Sequence, residues 1–188
     1  MITSAGGIPG VSYLRPQSGT GKSSLDRKLT GLNAGVQFGK PVLALRDLDH
    51  DSPCAPTLVN RLLPTRNPRM LLRVCVRETE TWLLADTDAY AAYCGTKAEL
   101  LPPAPDELDD PKRTILELAL AGKARKLAAY LKEGRSRSVP DWALLGEWHS
   151  HFAKQFWDPA RTTKAGRSPS LCRSFERLVR FIASEGST

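Results

Sequence analysis

The 188-residue chain contains no apolar run approaching the ~20 residues of a membrane-spanning helix. Its first residues, MITSAGGIPGVSY, lack the positive start and apolar stretch of a secretory signal. Both absences point to a soluble protein of the cytoplasm that makes no membrane contact. Nor is there a CxxC pair: Cys54, Cys75, Cys94 and Cys172 stand apart, and three of the four sit where an apolar residue would serve. That spacing argues against a zinc site or a disulfide framework and leaves reduced core thiols as the expectation. Histidine is scarce, and His149 and His151 have no partner acid at ligand spacing. They read as surface or partly buried residues rather than ligands or catalysts. No internal repeat is present.

What the chain does have is charge, unevenly placed. Residues 1–111 hold 12 Lys and Arg against 13 Asp and Glu, whereas residues 112–188 hold 15 against 7. A basic second half suits a polyanion, while the carboxylates of the first half serve some other purpose; a merely solvated basic surface is the alternative. The length suffices for one core. We therefore expect a single domain over 1–188, with an α/β acidic part at 14–95 and a helical basic part at 96–188.

Hydrophobic patterning orders the elements. Leu25, Leu29 and Leu32 share a helical face behind a Ser23 or Ser24 cap. "PVLALR", from Pro41 to Arg46, reads as a strand covered on both faces. A helix follows with Ser52 as cap, Pro53 at its first position, and Ala55, Leu58, Val59 and Leu62 as its stripe. "MLLRVCV", Met70 to Val76, reads as a second buried strand. Strand, helix, strand in a right-handed crossover means neighbouring parallel strands. Beyond Val76 the pattern is helical. Gly95 can terminate one helix, and Asp109 or Asp110 before Pro111 opens another carrying Ile115, Leu116, Leu118 and Ala119. A basic helix surrounds "GKARKLAAYLK", and Leu145, Trp148, Phe152 and Phe156 stripe the next. The last is capped by Ser168, started by Pro169 and striped by Leu171, Phe175, Leu178 and Ile182, with Arg173, Arg177 and Arg180 largely off the stripe. The fold class is α/β, a small parallel sheet with flanking helices and a mostly helical, basic C-terminal half.

"SGTGKSS" matches the end of a phosphate-binding loop through Gly21, Lys22 and Ser23, but Pro16 stands where the first glycine of G-x-x-x-x-G-K-[ST] belongs. Proline there removes an amide and fixes φ, opposing the tight turn. A nucleotide-binding role for Lys22 and Ser23 stays as the third reading. The stronger chemical signal is "VLALRDLDHDSPC". Asp47, Asp49 and Asp51 leave the end of a strand, where alternate extended residues point the same way and where ligands of open α/β sheets sit. Carboxylates so gathered repel one another unless a hard cation, Mg²⁺ or Mn²⁺, lies between them. The alternative is a solvated acidic turn capping the following helix. An EF-hand is excluded because Ser52 and Leu58 fill its glycine and glutamate positions. A haloacid-dehalogenase-type site is excluded by the absence of a threonine or valine near Asp51 and of an aspartate strand at the start of the chain. Glu78 and Glu80 follow the second strand and are expected to support the metal, Glu78 as the nearer ligand, with Arg73 and Arg77 balancing charge or meeting phosphate.

The ordered blocks "VLALRDLDHDSPCAPTLVNRLLP", "LLRVCVRETETWLLAD", "DELDDPK" and "FWDPA…SPSLCR", from about Leu32 to Leu178, resemble a family of TOPRIM-like proteins, a domain of unknown function often encoded beside AAA/ABC-type ATPases. The resemblance implies a fold similar to the TOPRIM domain of topoisomerases, primases and overcoming-lysogenization-defect (OLD) nucleases, which cut nucleic acid with divalent metal. It places Asp47 and Asp49 at the D-x-D position and Glu78 and Glu80 in the family's "RExExWLLAD" block. It further implies an ATPase partner and a setting in phage defence or DNA maintenance. Assembly with other copies of the chain is a separate open option. One departure stands out: no apolar strand ending in Glu-Gly precedes Leu14. Either the true start lies upstream, or the acid/base glutamate of such sites has been lost and metal binding outlives cleavage.

The basic half offers phosphate contacts in Lys112, Arg113, Lys123, Arg125, Lys126, Arg135, Arg137 and Arg173, and in the loop "RTTKAGRSPS". Trp142, Trp148 and Trp157 have spacing that suits core packing better than base stacking. The expected function is a Mg²⁺-dependent, nuclease-type activity on nucleic-acid phosphodiesters, DNA ahead of RNA, with Asp47, Asp49, Glu78 and Glu80 as its catalytic carboxylates. The alternative is a non-catalytic subunit of an ATPase complex.

Overall fold

The computed structural model describes residues 21–124, 126–127 and 142–185. Pro16 with the rest of the Leu14–Thr20 loop, most of the "GKARKLAAYLK" helix, and Arg125, Arg135 and Arg137 lie outside them. The described residues form two compact units. One combines 21–78 with 170–185, and the other lies within 79–169. The chain passes from one to the other between Glu78 and Thr79 and returns between Pro169 and Ser170.

The first unit is built on two parallel strands, β1 (Val42–Asp47) and β2 (Met70–Cys75), in register from Val42 opposite Met70 to Asp47 opposite Cys75. Side chains alternate across a strand, so Ala44 and Arg46 share a face with Leu72 and Val74. Leu29 of α1 (Lys22–Gly35), Leu58 and Val59 of α2 (Ala55–Leu62), and Leu63 bury that face. The opposite face carries Leu43, Leu45 and Asp47 beside Leu71, Arg73 and Cys75. Here β1 departs from the reading of a strand covered on both sides, since Leu43 is 38% exposed. The helix α2 also starts later than expected. Cys54, extended at φ −156° and ψ 159°, is its N-cap, and Pro56 rather than Pro53 occupies the first turn. Pro56 sits in the first turn, where a missing N–H costs nothing.

The second unit is helical: α3 (Thr79–Leu84), α4 (Thr87–Cys94), α5 (Pro111–Leu120), α6 (Trp142–Gln155) and α7 (Pro159–Ala165). Leu84, Tyr90, Ile115, Trp148 and Phe152 lie at the centre of its core. Asp110 caps α5 by accepting a 2.8 Å bond from the Arg113 amide. Gly95 ends α4 at φ +69°, a left-handed conformation that glycine adopts without a Cβ clash. Phe156, expected on the buried stripe of α6, lies past the helix end and is 50% exposed.

The final helix, α8 (Pro169–Glu185), supplies Leu171 and Ser174 as buried residues. Ser168 just before it donates a 2.6 Å hydrogen bond to Asp106. Among the described residues no helix is long and apolar enough to cross a membrane.

Candidate cation site at the carboxyl end of β1

Pairing between the strands continues past their ends. The Leu48 amide donates to the Cys75 carbonyl at 2.9 Å, and the Asp49 amide to the Arg77 carbonyl at 2.8 Å. There the chain turns: Asp49 adopts φ +47°, a left-handed backbone that aspartate tolerates better than most side chains. The Asp51 amide then closes onto the Leu48 carbonyl at 3.2 Å, and Arg77 Nη1 donates to the Asp49 carbonyl at 3.0 Å. The segment is therefore a turn rather than an extended strand tail. Asp47, Asp49 and Asp51 do not follow the simple alternation that placed them side by side.

The turn aims Asp49 and Asp51 at two cations of the chain itself, Lys22 and Arg46. Lys22, the first residue of α1, donates Nζ to Asp49 Oδ2 at 2.7 Å and to the Asp51 carboxylate at 3.0 Å. Beneath it lies Arg46, whose side chain is only 3% exposed. Its Nε and Nη2 engage both oxygens of Asp26, at 3.0 and 3.1 Å, and Nη2 also reaches Asp51 at 2.6 Å. Arg46 Nη1 donates to the Asp47 carbonyl. Burial opposes the Arg46 charge, but the Asp26 and Asp51 hydrogen bonds outweigh it and raise its pKa further. Arg46, then Lys22, hold the Asp51 carboxyl below its usual value, and the hydrogen bonds to Asp49 and Asp51 raise the Lys22 ammonium above its own.

Arg46 and Asp26 are the residues that pattern reading missed. A charged side chain on the inward face of an apolar strand demands a counter-charge. Asp26, one helical turn after Lys22, supplies it. Lys22, expected under the phosphate-loop reading to reach a nucleotide, faces carboxylates instead.

The remaining expected residues divide between the units. Asp47 closes β1 opposite Cys75 in register, and Glu78 Oε2 is shielded from solvent. Glu80 belongs to the helical unit. There it lies 3.5 Å from His149 Nδ1 and 3.4 Å from Lys112 Nζ, while Tyr90 Oη contacts His149 Nε2 at 2.8 Å. Arg113 pairs with Glu117 at 2.9 Å and Lys126 donates to the Ala92 carbonyl at 3.3 Å. Lys123 is exposed. Arg73 lies on the sheet face opposite the main core of its unit, bonded to Ser174 of α8.

Whether Mg²⁺ or Mn²⁺ suits the β1 turn depends on its donors. Carboxylate oxygen is the ligand type that hard cations take, and Asp49 and Asp51 already share one monovalent cation, the Lys22 ammonium. The donor chemistry fits, with Lys22 standing in. Among the described residues no group of three Asp, Glu, His or Cys side chains is gathered for an ion. The chain matches no family model, no curated protein and no solved structure.

Proposed function

We propose that this protein acts on nucleic-acid phosphodiesters, DNA ahead of RNA, through a divalent cation held by Asp49 and Asp51 at the carboxyl end of β1. The observation that carries the reading is the convergence of Asp49 and Asp51 on the single ammonium of Lys22. Two carboxylates at a strand end, where α/β sheets bind ligands, share a cation on a side chain that is 43% exposed and can swing away. When bound, Mg²⁺ or Mn²⁺ would polarise a phosphoryl oxygen and lower the pKa of water. Lys22 holds the carboxylates together in its absence and, once released, is a free ammonium beside an anionic substrate. Arg46 orients Asp51 from below and neutralises Asp26. Arg77, fixed to the Asp49 carbonyl, keeps the turn closed.

Manganese titration followed by calorimetry, alongside nicking of supercoiled plasmid in Mn²⁺, tests the reading. Lys22→Met is expected to bind Mn²⁺ about tenfold more tightly than the wild type, since the competing ammonium is gone. Asp49→Asn is expected to abolish both binding and nicking. Wild type and Lys22→Met that both fail to bind Mn²⁺ would overturn it. One observation favours a second reading, a non-catalytic subunit of an ATPase complex: Asp26, Arg46, Asp51 and Lys22 are mutually satisfied without any added ion. Under that reading Asp49→Asn leaves capture of the ATPase intact.

A further inference from the structure

On the sheet face opposite the main core of its unit, Arg73 donates from Nε and Nη2 to the hydroxyl of Ser174, at 3.2 and 3.1 Å. Ser174 is 4% exposed and anchors the guanidinium against α8. Arg173 and Arg177, one residue before and three after Ser174 on the same helix, flank the point where Arg73 is bonded and are both exposed. Burial, then Arg177, then Arg173, lower the Arg73 pKa. Three guanidiniums thus stand together on one surface. Among the described residues none of the three meets a carboxylate. The two acids of α8 are engaged elsewhere, Glu176 with Arg180 at 3.3 Å and Glu185 with Arg69 at 3.0 Å.

Uncompensated like charge costs stability unless a ligand offsets it, and a guanidinium presents its donors in a planar fork that matches phosphate oxygens. We infer that Arg73, Arg173 and Arg177, gathered around Ser174, form a phosphate-binding patch that seats the backbone of the nucleic acid. The class of ligand rests on the phosphodiester reading above. The position agrees with it. Arg73 precedes Cys75, the register partner of Asp47, by two residues on the same sheet face, about 7 Å along the strand at 3.3 Å per residue. The patch carries no sequence information, because phosphate contacts position a nucleic acid without reading its bases.

The test uses the full-length protein in EDTA, with fluorescence anisotropy of labelled single-stranded and duplex DNA oligonucleotides from 50 to 200 mM NaCl. Arg173→Ala/Arg177→Ala is expected to weaken binding about tenfold and to reduce the slope of log K against log salt by about two. Its unfolding midpoint is expected to equal or exceed the wild-type value, because like-charge repulsion is relieved; a purely structural pair would lower it. Arg180→Ala, which removes a charge already paired with Glu176, is expected to leave affinity and slope unchanged. Unaltered affinity and slope in the double variant would overturn the patch even if Mn²⁺-dependent nicking is observed. Arginine-dependent binding in EDTA without any Mn²⁺ binding would sustain the patch while removing the cation reading. Binding to vesicles of anionic phospholipid with none to DNA would overturn it.

Discussion

Arg46 shows how a single side chain organises the turn after β1. Its charge is almost wholly withdrawn from water, and it is tolerated because Asp26 and Asp51 supply three hydrogen bonds. Arg46→Met is expected to destabilise the protein by about 3 kcal/mol, the low end for breaking a buried pair, since Asp26 and Asp51 keep some solvent access. Chemical denaturation measures it. Cysteine behaviour is a second single-residue consequence. Cys54 is exposed and its thiol lies below its usual value because the Thr57 hydroxyl, then the Thr57 amide, favour the thiolate, whereas burial pushes Cys94 up to about 12. Alkylation at neutral pH with mass mapping is expected to label Cys54 first, with Cys75 and Cys94 protected until unfolding. Of these residues, the buried thiols were legible from their apolar neighbours. The pairing of Arg46 with Asp26 was not, because the two are twenty positions apart and only folding brings α1 against β1.

Among the elements, α3 shows how much depends on its neighbours. Its Glu80 is buried, which alone would raise the carboxyl pKa, yet the neighbouring His149 ring and the Lys112 charge bring it below its ordinary 4.5. A carboxyl depressed by folding adds stability above its unfolded pKa and loses it as pH falls through the folded value. Stability is therefore expected to decline below about pH 4.5, with a flatter acid limb in Glu80→Gln, measured by denaturant midpoints between pH 3 and 6. Gly95 closes α4 at φ +69°, and an added Cβ would meet Lys126 Cγ at 3.3 Å. Gly95→Ala is expected to cost about 1 kcal/mol or more in thermal unfolding. The glycine stop, the Asp110 cap and both strands were readable from local chemistry. The start of α2 was not, because two prolines compete to begin it and the second prevails.

The molecule as a whole carries two cores, Leu58, Leu72 and Val74 in one unit and Leu84, Tyr90 and Phe152 in the other. Among the described residues the helical unit is drawn from the single stretch 79–169, so that segment alone is expected to unfold cooperatively with a near-ultraviolet dichroism signal. Phe152→Ala within it is expected to cost about 3–5 kcal/mol, because its ring is fully buried. The other unit needs both 21–78 and 170–185, and the first stretch alone is expected to lack that cooperativity. The charge boundary near residue 111 runs through the helical unit rather than between the units. The sequence by itself determined most of the helices and the parallel strand pair, since these follow from local periodicity, proline and glycine placement, and the crossover rule. It did not determine the turn that replaces the expected extended acidic tail, the start of α1 at Lys22 ahead of the expected Ser23 or Ser24 cap, or α7 running into the expected loop RTTKAGRSPS. Only the tertiary structure decided which charges meet. Lys22 bridges Asp49 and Asp51, Arg46 joins Asp26, and Arg73 meets Ser174 between Arg173 and Arg177 on α8, over separations of up to about a hundred residues. Charge pairing acts through space over a few ångströms, and chain position alone does not encode that distance.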